Sequence, residues 1–173
     1  MIFKRRRLPS ALHPSLAEDE RVVAWARVTE HAAVVATNLG IFLPGRASRL
    51  GWHEIHKAVW TGRDLVITPA TVVEQRQEYA VVADAAPLTV TLPEPGELPH
   101  VVRNRVTGSV SFSSHQPVPG GGVRVVARKV PSMDGLRWAA RYDEGTDPFA
   151  PEVRDATAQL VASFAASVHD PSL

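Results

Sequence analysis

The chain has 173 residues, a length that suits one domain, and 45% of them are apolar, enough for one core. Nineteen Lys+Arg against 18 Asp+Glu leave a formal charge of +1, which excludes a bulk polybasic or polyacidic protein. With no cysteine, disulfide frameworks, thiolate metal sites and cysteine nucleophiles are all excluded. Apolar runs reach five residues, as at Ala32–Ala36, whereas a membrane-spanning helix needs about 20. The basic start is not followed by the apolar stretch of a secretory signal, so the cytoplasm is the expected location.

Residues 1–20 read as a flexible arm, combining Lys4, Arg5, Arg6 and Arg7 with Pro9, Pro14 and the acidic run Glu18-Asp19-Glu20. From residue 21 to 169 the pattern reads as one β-rich domain, with 170–173 as a tail. Val22, Ala24, Ala26 and Val28 alternate with Val23, Trp25 and Arg27, predicting a strand. A second run covers His31–Thr37, and Asn38-Leu39-Gly40 predicts a hairpin turn of the kind that tolerates positive φ. Ile41-Phe42-Leu43 follows. Trp52 and Ile55 are an odd number of residues apart, so both reach one core only through a bend at His53-Glu54. Further strands are expected at 65–68, 71–74, 79–83 and 88–92.

Leu98, Val101, Val102 and Val106 recur at helical spacing, predicting a short helix over about 99–106 with Pro99 in its first turn. Beyond it Val110 and Phe112 alternate with serines, as a strand requires. Val123–Val130 and Leu136–Tyr142 flank a turn, and two registers are open to them. Pairing Lys129 with Leu136 gives one apolar face holding Val123, Val125, Ala127, Trp138 and Tyr142. A one-residue slip would mix Arg124 and Arg128 into it, so the first register is expected. A last helix over about 151–168 carries the stripe Val153, Ala156, Leu160, Phe164 and Val168.

Val35-Ala36-Thr37-Asn38 leading into Gly40-Ile41-Phe42-Leu43, then Leu50-Gly51-Trp52-His53-Glu54-Ile55 and Leu65-Val66-Ile67, resembles bacterial pleckstrin-homology-like domains and their GRAM-type relatives. The resemblance is carried by 20–68, is weakest over 70–106, and does not cover 1–19. It implies a mainly β (α+β) fold: a split barrel of two packed antiparallel sheets with a short inserted helix and a C-terminal capping helix. It also implies a binding or scaffolding module and not an enzyme. No phosphoinositide site carries over, because Thr29-Glu30-His31 is short and includes an acid.

Candidate chemistry is sparse. His53-Glu54-Ile55-His56 has a histidine spacing of three in an extended context, which suits strand and bend residues better than a zinc site. No Gly-x-Ser-x-Gly elbow supports a serine hydrolase. Gly120-Gly121-Gly122 lacks the Lys-Ser/Thr of a phosphate loop and reads as a hairpin connection. Asp143, Glu144 and Asp147 read as turn chemistry. No catalytic residue, metal or cofactor is therefore assigned.

The sharper feature is the second face of the last hairpin. Arg124, Arg128, Arg137 and Arg141 share it and repel one another unless an anion meets them. A protein partner is the expected ligand. Alternatives are an anionic lipid surface, engaged together with Lys4, Arg5, Arg6 and Arg7, or nucleic acid, which is disfavoured because Trp138 and Tyr142 fall on the buried face. Charge is also blocked along the chain: +4 over 1–17, −4 over 18–102, +6 over 103–141 and −5 over 142–173. The acidic C-terminal block is thus a possible internal partner for the arginines.

Overall fold

A computed structural model describes residues 6–169, with His169 described as backbone only. The fold is mainly β, with two sheets and two helices. None of the described helices is long and apolar enough to cross a membrane. Where the sequence reads as one domain, the chain packs as two compact units. The first holds the chain up to Pro69 together with Ala86–Thr107; the second holds Ala70–Ala85 and the chain from Gly108 on.

In the first unit β1 (Val22–Thr29), β2 (Ala32–Thr37), β3 (Gly40–Phe42) and β4 (Leu50–Gly51) form an antiparallel meander. A 3-10 turn at Trp52–Glu54 separates β4 from β5 (Ile55–Trp60), and this is the bend that lets Trp52 and Ile55 both bury. β5 pairs with the first half of β6 (Asp64–Gln75), whose other side takes β8 (Leu88–Thr91). The sequence reads β6 as two short runs, but it is continuous. Pro69, which has no N–H to give, sits where the strand stops pairing with β5 and Ala70 begins pairing with Asp84.

The turn after β2 works differently from the expectation. Gly40 is absent from the positive-φ residues, and what requires glycine is space: a Cβ there would run into the Leu50 carbonyl. The helix of this unit is α1 (Leu98–Ser109), three residues longer at its C-terminus than the reading of 99–106. Leu98, Val102 and Val106 enter one cluster with Ala26, Ile41, Trp52 and Leu65. α1 is the helix whose side chains enter the cluster of this unit.

Residues 6–20 are not a free arm. Leu8 is buried, and the Arg6 carbonyl accepts from Trp25 Nε1 at 2.8 Å. Glu20 carries the strongest tie, its carboxylate wholly withdrawn from water. Oε1 accepts from Thr37 Oγ1 at 2.6 Å; Oε2 accepts from Ala17 N at 2.9 Å and Arg49 Nη1 at 2.7 Å. Thr37 Oγ1 in turn accepts from the amides of Leu39 and Gly40, and its carbonyl accepts from Trp52 Nε1 at 3.0 Å. A buried carboxylate is tolerable when its lone pairs are filled in this way.

The second unit has the strand order β6–β7–β11–β10–β9, with β7 (Ala80–Asp84), β9 (Val110–Val118), β10 (Gly121–Lys129) and β11 (Leu136–Tyr142). Pro119-Gly120 links β9 to β10, with Gly120 at φ +76° in the order a type II turn requires. β10 and β11 pair Val123 with Tyr142, Val125 with Ala140, Ala127 with Trp138 and Lys129 with Leu136, the register that puts apolar residues together. α2 (Pro151–His169) packs on that face. Val161 and Thr157 are buried, whereas Val168, expected in the stripe, is exposed. Phe112 joins the face from β9, its ring centroid 4.7 Å from Phe164 and 5.7 Å from Trp138.

The Glu20 network yields a prediction. Glu20→Ala leaves Arg49 and the Thr37 hydroxyl without their acceptor, and should cost about 2–4 kcal/mol in urea unfolding. A change within the error of the measurement would show that residues 6–20 do not hold the first unit.

Candidate functional site

The register of β10 and β11 decides where the arginines fall. Because Val123, Val125 and Ala127 are buried, Arg124, Val126 and Arg128 face the other way. Arg124 lies opposite Arg141, and Arg128 opposite Arg137. The four expected residues therefore do come together, as two cross-strand like-charge pairs. Pairing with β9 and β7 extends the rows. His115 continues the row of Arg124 and Arg141; Ser113 and Ala80 continue the row of Val126 and Ala139. The face thus consists of two arginine pairs separated by a low row of small side chains.

The contacts of these arginines are unequal. Arg141 Nη2 meets Asp84 Oδ2 at 2.6 Å, a carboxylate from β7 and not from the acidic C-terminal block. Arg124 Nη1 donates to Ser113 Oγ at 3.1 Å, and Arg128 Nη1 to Ser109 Oγ at 2.8 Å. Arg137 is exposed and meets no acid among the described residues. Burial draws the Arg128 guanidinium below its ordinary value, and no carboxylate among the described residues meets it. Among the described contacts, one carboxylate serves four guanidinium groups. The acidic loop is occupied elsewhere: Asp143 Oδ2 lies 2.7 Å from His115 Nε2, and Asp147 Oδ1 accepts from the Phe149 amide.

The basic start is placed differently. Arg6 pairs with Glu94 at 3.2 Å and stands over the Trp25 ring, and Arg7 is exposed. Lys4 and Arg5 lie outside the described residues. In the His53–His56 segment, His53 Nε2 lies 3.5 Å from Glu54 Oε1. No group of three or more potential metal ligands occurs among the described residues.

One charged cluster escaped sequence reading. Arg76, with its side chain only 8% exposed, donates Nε to Glu74 at 3.0 Å. Its Nη1 reaches the hydroxyls of Tyr79 and Tyr142 at 2.8 and 3.0 Å, and its Nη2 the Pro148 carbonyl at 2.6 Å. Arg154 of α2 adds a second bond to Glu74 at 2.7 Å, and Tyr142 donates on to Thr157 at 2.7 Å. Burial works against the Arg76 charge, yet the bonds to Tyr79, Tyr142 and Glu74 outweigh it and hold the guanidinium above its ordinary value. For Tyr79, burial raises the phenol and the neighbouring Arg76 only partly offsets this. The cluster ties the β6–β7 turn, the end of β11 and the start of α2 together. A network satisfied in this way rigidifies the segments it joins.

Desolvation pushes the Glu74 carboxyl up, but its bonds to Arg154 and Arg76 prevail and hold it below the usual carboxylate value. A depressed folded value means the pair contributes fully above the ordinary glutamate range and is lost as pH falls through the folded value. Glu74→Gln should therefore lose stability near neutral pH and flatten the acid limb of the stability–pH curve. Arg76→Ala should cost about 2–4 kcal/mol at neutral pH. Parallel wild-type and Glu74→Gln curves would contradict this reading.

Compared with known proteins, the chain matches no family model, no curated protein and no solved structure.

Proposed function

We propose that the protein is a non-enzymatic binding and scaffolding module, built on a pleckstrin-homology-like split barrel, that recognises an acidic protein partner through the arginine face of its second unit. The observation that carries the reading is the pairing of Arg124 with Arg141 and Arg128 with Arg137, served by Asp84 alone among described carboxylate contacts. Like charges directly opposite on a sheet oppose folding, so an external anion is the natural relief.

The split-barrel part of the proposal is supported by the order of elements in the first unit: a four-strand meander, three further strands, then a helix packed into their cluster. In this reading α1 takes the place of the capping helix, and the second unit is an addition, part inserted between β6 and β8 and part appended after α1. A protein partner is preferred to a membrane because Arg6 is engaged with Glu94 and Trp25, which leaves the second basic signal incomplete. It is preferred to single-stranded nucleic acid because Trp138 packs with Phe112 on the α2 side of the sheet.

The test is retention of the full chain on a Glu-rich peptide, on phosphatidylserine vesicles and on an oligonucleotide at about 50 mM salt. The peptide should bind, and Arg124→Glu with Arg137→Glu should weaken it about tenfold or more. Binding to vesicles or oligonucleotide alone would replace the protein partner with that ligand, and binding to none would overturn the assignment.

A further inference from the structure

Among the described residues β9 is the outer strand of its sheet, and β10 is its one strand partner. Val110 N–H closes the last turn of α1, and outside the helix and strand ladders no backbone–backbone hydrogen bond among the described residues engages 111–118. Among the described residues the strand thus keeps an unpaired outer row of N–H and C=O groups over 111–118, interrupted at Pro117, which has no N–H. Edges of this length are ordinarily blunted by charged side chains, prolines, bulges or a covering segment. β9, with the sequence VSFSSHQPV, has neither lysine nor acid; its proline, Pro117, lies next to one end, and a register irregularity opposite Ala127 and Arg128 lies at the other. Ser111, Ser113 and His115 are exposed along it.

Two of the arginines lean toward this edge. Arg124 lies across from His115, and Arg128 across from Val110, yet both guanidinium groups reach over β9 to hydroxyls on its line, those of Ser113 and Ser109. A strand laid against β9 at the usual spacing of about 4.8 Å would bring alternate side chains under those guanidinium groups. Hydroxyls satisfy one N–H each, whereas a carboxylate supplies charge and a bidentate partner. Arg124 and Arg128 are four residues apart, roughly 13 Å along a strand, which matches acids at i and i+4 on one face.

We infer that β9 takes up an acidic, extended segment of a partner protein as an added strand, an assignment that rests on the arginine face being the partner surface. Main-chain bonds to β9 supply affinity, and alternate Asp or Glu side chains meeting Arg124 and Arg128 supply specificity. A second copy of this chain is a poorer occupant. Pairing β9 with β9 would bring two sets of Arg124 and Arg128 to one seam and neutralise none of them.

The test uses the full chain and a nine-residue peptide alternating Thr and Glu, with affinity read by fluorescence anisotropy. Two further peptides carry backbone N-methyl groups, one on every Glu amide and the other on every Thr amide. Their charge is unchanged, but each loses the N–H row along one side. One methylated peptide should bind about tenfold or more weakly, and the other within about twofold of the parent. Amide exchange of Val110–Val118 should slow in the complex. Equal binding of all three peptides would mean that charge alone is read; strand addition would fall and the arginine face would stand. No binding of the parent peptide at about 50 mM salt would remove both. A dimer that protects the same amides without peptide, and that peptide does not dissociate, would assign the edge to a second copy and overturn the inference.

Discussion

Val123, Val125 and Ala127 are withdrawn from water on one face of β10, and β11 offers Ala140, Trp138 and Tyr142 to the same side. Burying each of the valines is worth about 1.5–3 kcal/mol, and a one-residue slip would forfeit that and place Arg124 and Arg128 in the core. Like-charge repulsion between opposed residues is smaller, about 0.2–1 kcal/mol per pair. The core therefore wins, and two arginine pairs are forced together on the outer face. The surface properties of the second unit follow from that inequality. The pairs are held in place by a frame that Arg76, Glu74, Arg154 and Tyr142 lock from the opposite side of the strands.

The first unit solves a different problem with a similar device. Its meander ends in the short strands β3 and β4, and the leading segment reaches them through one buried carboxylate. Glu20 joins Ala17, Thr37 and Arg49, while Thr37 relays to the next turn and to Trp52. In each unit an ionic group of low exposure collects donors or acceptors from segments far apart in sequence. Such networks specify one arrangement because a partly satisfied version is costly.

Much of this was legible in the sequence where the deciding contacts are local. The register of β10 and β11 could be read because the turn is short and only one pairing gives a buriable face. The bend at Trp52–Glu54 could be read from the odd spacing of Trp52 and Ile55. Helix assignments reached the right segments, and the stripe residues Val153, Leu160 and Phe164 do pack in an apolar cluster. Periodicity shows that a helix has an apolar stripe, not which strands will cover it: α1 packs with Trp52 and Leu65, α2 with Val123 and Val125. Glu20 resembled its solvated neighbours Glu18 and Asp19, and nothing near it in sequence announces Arg49. Arg76 was invisible for the same reason: Tyr142 and Pro148 reach it from 66 and 72 residues away, and Arg154 reaches its partner Glu74 from 80. The arginine face was found because alternation alone defines it, while the carboxylate that meets it, Asp84, comes from a strand whose pairing is non-local.

These arginines are held together at a cost to folding, which an anionic partner would relieve. Stability of the ligand-free chain tests that cost most directly, with Arg124→Gln and Arg137→Gln compared in urea at low and high salt. The account predicts that each substitution leaves the protein as stable or more stable by about 0.2–1 kcal/mol, with the gain shrinking as salt screens the repulsion. A loss of more than about 1 kcal/mol, insensitive to salt, would mean that the arginines are structural and would contradict the account.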